Sequence, residues 1–153
     1  MDFFELLRTG DIEGVKQRLK ENPSLAETKD DKGFPPLVLA GYNGQYEVTE
    51  ELLKSGANVD ARDVADNTAL MGVCFKGYPD IAKLLIENGA NLNAKNSQGA
   101  TALIYAVMFE QTEIVKLLVE HGADRTVEDM KGSTAYHHAR MKGNEELAEL
   151  VKI

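Results

Sequence analysis

The chain has one cysteine, Cys74, so it forms no internal disulfide and must hold together by packing alone. Aromatic residues make up only 7% of it, and no stretch approaches the ~18 consecutive apolar residues of a membrane span. Its N-terminus, "MDFFELLRTGD", lacks the basic start and greasy run of a secretory signal. Together these absences predict a cytoplasmic protein. Excess basic charge is missing too. Lys and Arg number 17 against 25 Asp and Glu, giving a net charge of −8. That balance excludes nucleic acid, whose phosphates need basic partners, and an anionic membrane surface. Finally, the sequence contains no G-x-S-x-G, no glycine-rich phosphate loop and no zinc-ligand spacing, so neither an enzyme nor a cofactor is expected.

What is present is a period. "KSGANVDARD" (54–63) returns 33 residues later as "ENGANLNAKN" and 33 further on as "EHGADRTVED". Gly56, Gly89 and Gly122 mark it, and Leu37, Leu70, Leu103 and Tyr136 share the spacing. So do Asp30, Asp63, Asn96 and Asp129, and so do Val48, Ile81, Ile114 and Leu147. Four series with one interval establish an internal repeat.

Each unit reads as two short helices. Thr68, Thr101 and Thr134 are placed to cap the first helix, with Pro35 as the exception and Pro36 suited to a first helical position. Gly44, Gly77 and Gly143 end that helix, whereas Glu110 stands where the fourth glycine belongs and predicts a strained or re-routed turn. The second helix, as in "DIAKLLIENG" (80–89), opens on an acid and carries Ile81, Leu84 and Leu85 as one apolar stripe. Gly56, Gly89 and Gly122 then stop it. Helices of about nine residues are unstable alone in water, so each unit needs a neighbour to cover its flank. The chain is an all-α solenoid.

The sequence resembles the ankyrin-repeat family, whose threonine–proline–leucine–histidine motif reads here as "PPLV" (35–38), "TALM" (68–71), "TALI" (101–104) and "TAYH" (134–137). The resemblance implies stacked helix–turn–helix units joined by hairpin-like turns. It divides the chain into an N-terminal capping repeat (1–29), repeats at 30–62, 63–95 and 96–128, and a C-terminal capping repeat (129–153) that ends inside its second helix at Ile153. It also implies a non-catalytic, monomeric interaction module that takes an unknown protein partner in a concave groove. The alternative is a small-ligand receptor or enzyme with a shallow pocket between repeats.

Candidate chemistry is sparse. Asp60, Asp63 and Asp66 lack calcium-loop spacing and read as turn-stabilising acids. His137 and His138 are adjacent on a helix, diverge by about 100° and cannot chelate one ion, while His121 sits at a helix C-terminus. Cys74 reads as a packed small hydrophobe. On the family's groove, the matching tip residues include Phe34, Asn67, Gln98 and Lys131. An apolar row, Tyr42, Phe75, Met108 and Met141, recurs two residues before each helix-ending position, with Lys76 and Phe109 beside it. That row is either core or a binding stripe.

Overall fold

The computed structural model describes residues 1–153, and it is helical throughout, with no strand. Ten α-helices form five pairs: α1 (Phe3–Thr9) with α2 (Ile12–Glu21), α3 (Pro36–Tyr42) with α4 (Tyr46–Lys54), α5 (Ala69–Lys76) with α6 (Pro79–Glu87), α7 (Ala102–Met108) with α8 (Thr112–Glu120), and α9 (Ala135–Lys142) with α10 (Glu145–Leu150). The first helices pack against one another in the order α1, α3, α5, α7, α9, and the second helices form a parallel row behind them. A two-layered stack results, as compulsory neighbour burial requires.

Local sequence sets each boundary. The hydroxyls of Thr68, Thr101 and Thr134 accept the amides of Met71, Ile104 and His137 at 3.4, 3.3 and 3.3 Å. Pro35 makes no such bond, and Pro36 opens α3 where no amide hydrogen is needed. Gly56, Gly89 and Gly122 take φ of 91°, 87° and 85° just past the second helices, a left-handed backbone that only glycine adopts cheaply. Glu110 also enters that region, at φ 54°. The turn after α7 is therefore strained and not re-routed. It keeps the course of its glycine counterparts, the Glu110 side chain accepting from Asn144 Nδ2 at 3.1 Å.

The recurring apolar series form the core. Leu37, Leu70 and Leu103 are buried, as are Val48, Ile81, Ile114 and Leu147, while Tyr136 is half-buried at the end of its series. One continuous cluster runs from Phe3 to Val151. The two end units depart from the period. After α2 the chain leaves through a 3₁₀ turn, Pro23–Glu27, in place of a glycine stop. The last helix closes at Leu150, so Ile153 lies beyond it rather than within it.

Candidate partner-binding groove

In front of the first helices stand four five-residue fingers, at 30–34, 63–67, 96–100 and 129–133. Each is built around one side-chain oxygen. Asp63 Oδ1 accepts the amides of Ala65 and Asn67, both at 2.9 Å. Asp30 holds Lys32 and Phe34, Asn96 holds Gln98 and Ala100, and Asp129 holds Lys131 and Ser133 in the same way. A short carboxylate or amide side chain suits this role because it can reach its own chain two and four residues on. Neighbouring fingers are stitched by the main chain: Ser97 N–H donates to Ala65 O at 3.1 Å, and Met130 N–H to Gln98 O at 3.0 Å.

Between the fingers and the helices lies a half-open groove of about 860 Å³. Fingers 30–34 and 63–67 form one wall and α3, α5 and the α7 aromatics the other. Phe34, Tyr42, Asn67, Phe75 and Phe109 all line it. The rings of Tyr42 and Phe75 stack at 6.1 Å between centroids, and Phe75 meets Phe109 edge-on at 4.6 Å. Phe109 in turn stacks on Tyr105 at 6.1 Å. Lys76 Nζ sits 4.9 Å from the Tyr42 centroid, a cation resting on this aromatic rim.

A family model described as ankyrin repeats (3 copies) matches residues 6–96 and 70–152, nearly the whole chain. The chain belongs to the ankyrin-repeat family. Over 61 residues it is also 34% identical to palmitoyltransferase akr1 of Aspergillus oryzae (strain ATCC 42149 / RIB 40), a match covering 40% of this chain and 8% of that relative. This ankyrin array thus spans a small fraction of that protein's length.

Within the ankyrin stack, the expected stripe is only partly what the structure presents. Tyr42, Phe75 and Phe109 are about 40% exposed (42%, 43% and 40%) and form a continuous wall. Met108 does not join them. It is half-buried and packs on the core, and Phe109, one residue on, reaches Phe75 in its place. Met141 is 70% exposed, in the last unit of the stack and outside the groove. Gln98 and Lys131 lie on fingers outside the groove, at its C-terminal continuation.

Among the groove residues that the sequence reading did not single out are Gly72 and Tyr105. They occupy one position of the repeat, shared with Leu39 and His138. A position that holds leucine, glycine, tyrosine and histidine in turn shows no periodicity, and that lack of repetition was the available signal.

The three histidines, Asp60 and Asp129 have structural partners. His137 Nδ1 accepts the Thr134 amide at 3.0 Å, closing the cap of α9. His138 Nε2 donates to Asp129 Oδ2 at 2.8 Å. Partial burial works to raise the Asp129 carboxyl, but the His138 hydrogen bond, the Ser133 and Lys131 amides and the imidazole charge outweigh it and hold it below the usual carboxylate range. His121 Nδ1 donates to Leu117 O at 2.8 Å. Asp60 accepts the Asn91 amide at 2.8 Å and so ties one unit to the next, while Asp66 takes φ 61° at a finger tip where Gly33, Gly99 and Gly132 stand elsewhere. Cys74 is wholly buried, and burial pushes its thiol far above the ordinary range. No helix is long and apolar enough to cross a membrane.

Proposed function

We propose that this ankyrin array is a non-catalytic, monomeric cytoplasmic module that binds a protein segment in the groove between fingers 30–34 and 63–67 and helices α3, α5 and α7. The observation that carries the reading is the exposed Tyr42–Phe75–Phe109 wall. Aromatic rings left partly exposed beside a groove cost solvation until a partner covers them, and such residues supply most hot spots of protein interfaces. The fingers add polar groups along the opposite wall, which orient a bound chain.

The transferase named by the fungal relative is that protein's activity. Acyl transfer through a thiol needs an accessible thiolate, whereas the single cysteine here is buried with a raised thiol pKa. The groove is also open along one side, which favours an extended segment over an enclosed small ligand.

Selection of random twelve-residue peptides displayed on phage against the full chain tests this. Binders that lose about tenfold or more in affinity for Phe75→Ser, and keep it for Glu87→Gln on the outer helix α6, support the reading. Binders indifferent to Phe75→Ser overturn it.

A further inference from the structure

In each of the four fingers the leading Asp or Asn has a second side-chain atom left over after its oxygen has taken two amides. Units 4 and 5 both turn it, with opposite polarity, toward the same register of their first helix. Asn96 Nδ2 donates to the hydroxyl of Tyr105 at 2.8 Å, and Asp129 Oδ2 accepts from His138 Nε2 at 2.8 Å. In both the partner lies nine residues on, upon the first helix of the same unit. Nine residues after Asp63 comes Gly72, which has no side chain to offer. Asp63 is only 8% exposed, yet the one contact to its Oδ2 is a long 3.4 Å bond from Asn67 Nδ2. Asp63 also lines the groove, so its Oδ2 keeps acceptor capacity that a cationic donor entering the groove can take up.

The glycine itself sharpens the point. Gly72 lies in the middle of α5, where glycine is unfavourable relative to alanine. No tight packing demands it. A Cβ at this position would lie 3.5 Å from Tyr42 Cδ2, an ordinary contact. Its effect is to leave a notch, free of any side chain, in the groove that Asp63 and the Tyr42–Phe75–Phe109 wall also line. Asp30, in the preceding unit, has Leu39 nine residues on and adds a second carboxylate to the groove. Asp31 lines it as well, against the cations Arg8 and Lys32.

We propose that the notch over Gly72 receives an arginine side chain from the bound protein segment, which pairs with Asp63 Oδ2 and lies against the aromatic wall. This rests on the protein-module reading and specifies one residue of its partner. The incoming guanidinium does for Asp63 what His138 does for Asp129. Arginine suits the site better than lysine because its planar, weakly hydrated head stacks on rings while its donors reach a carboxylate. Lys76 over Tyr42 shows that this rim already holds a cation. At about 860 Å³ the groove is far larger than one side chain, so the arginine is an anchor within a longer segment.

The test is a titration of the ¹⁵N-labelled full chain with acetyl-Gly-Arg-Gly-amide, followed by amide shifts, with the citrulline counterpart as the neutral isostere. Saturable shifts are expected at Asp63, Asn67 and Gly72, weaker by about tenfold for citrulline and for Asp63→Asn. Asn96 builds its finger with an asparagine at the equivalent position, so the Asp63→Asn variant folds. Gly72→His is the second variant. It should regenerate the Asp–His pair of the last unit, melt no lower than the parent and abolish the arginine-dependent shifts. Equal shifts with citrulline, undiminished binding by Asp63→Asn, or shifts spread over outer acids such as Glu87 and Glu120 would overturn the proposal. Displayed peptides that depend on Phe75 but share no arginine would overturn it too, and would leave the protein-module reading standing.

Discussion

Phe109 meets Phe75 edge-on across two units, 4.6 Å between ring centroids, while Met108, at the repeat position of Phe75 itself, turns partly into the core. Ring and thioether have exchanged duties at neighbouring positions. Phe75→Ser should therefore shift the melting temperature by only a few degrees, because the ring is largely outside the packed cluster. Met108→Ser should cost distinctly more, about 1–3 kcal/mol, from lost packing and an added buried hydroxyl. Chemical denaturation of the two variants checks the order. If Phe75→Ser is the more damaging, the aromatic wall is structural.

Glu110 holds a left-handed backbone that a side-chain-bearing residue adopts at a cost of about 1–2 kcal/mol. Glu110→Gly should raise the melting temperature, less whatever its exposed bond from Asn144 contributes. Thermal unfolding followed by circular dichroism reads this directly, and a lower midpoint would mean that the side-chain bond outweighs the strain.

Gly89 offers the converse case. No atom lies within 4 Å of a Cβ built there, so a side chain has room and only the φ of 87° opposes it. Gly89→Val should lose more than ~1 kcal/mol and Gly89→Asn much less, since asparagine tolerates this region. Equal melting of the two variants would remove the left-handed stop as the explanation.

Asp129 carries a pH signature. Its carboxyl is held below the ordinary range in the fold, so its charge contributes fully above the unfolded value, near ~4, and the contribution fades as pH falls through the lower native value. Asp129→Asn keeps the finger, as Asn96 does, but lacks the charge. The parent should melt a few degrees above this variant at about pH 6, and the two curves should converge as pH falls through the lowered native value. A gap that persists in acid would place the difference in packing.

The fold was legible because its determinants recur. Leu70, Ile81 and Gly89 each answer a demand that every unit makes, so period and chemistry coincide in the sequence. The groove was legible only in part, because binding surfaces are made by departures from the period. Phe75 was readable as an exposed aromatic at a repeating position. Gly72 was not, since its meaning depends on Asp63 nine residues away and on the pairs that Asn96 and Asp129 make elsewhere. Met108 misled because it shares the repeat position of Tyr42 and Phe75, yet its flexible thioether packs partly on the core while Phe109, one residue on, makes the ring contact.

The stitching between fingers has an unequal reach. Ser97 bonds back to finger 63–67 and Met130 to finger 96–100, but no main-chain bond joins finger 63–67 to finger 30–34. Val64, the residue in register, leaves its amide unbonded and its side chain 80% exposed. In deuterated solvent the Ser97 and Met130 amides should exchange slowly and that of Val64 almost at once. The groove thus opens beside its one unzipped seam, and a bound chain running along finger 30–34 would slow exchange at Val64 by supplying the missing acceptor.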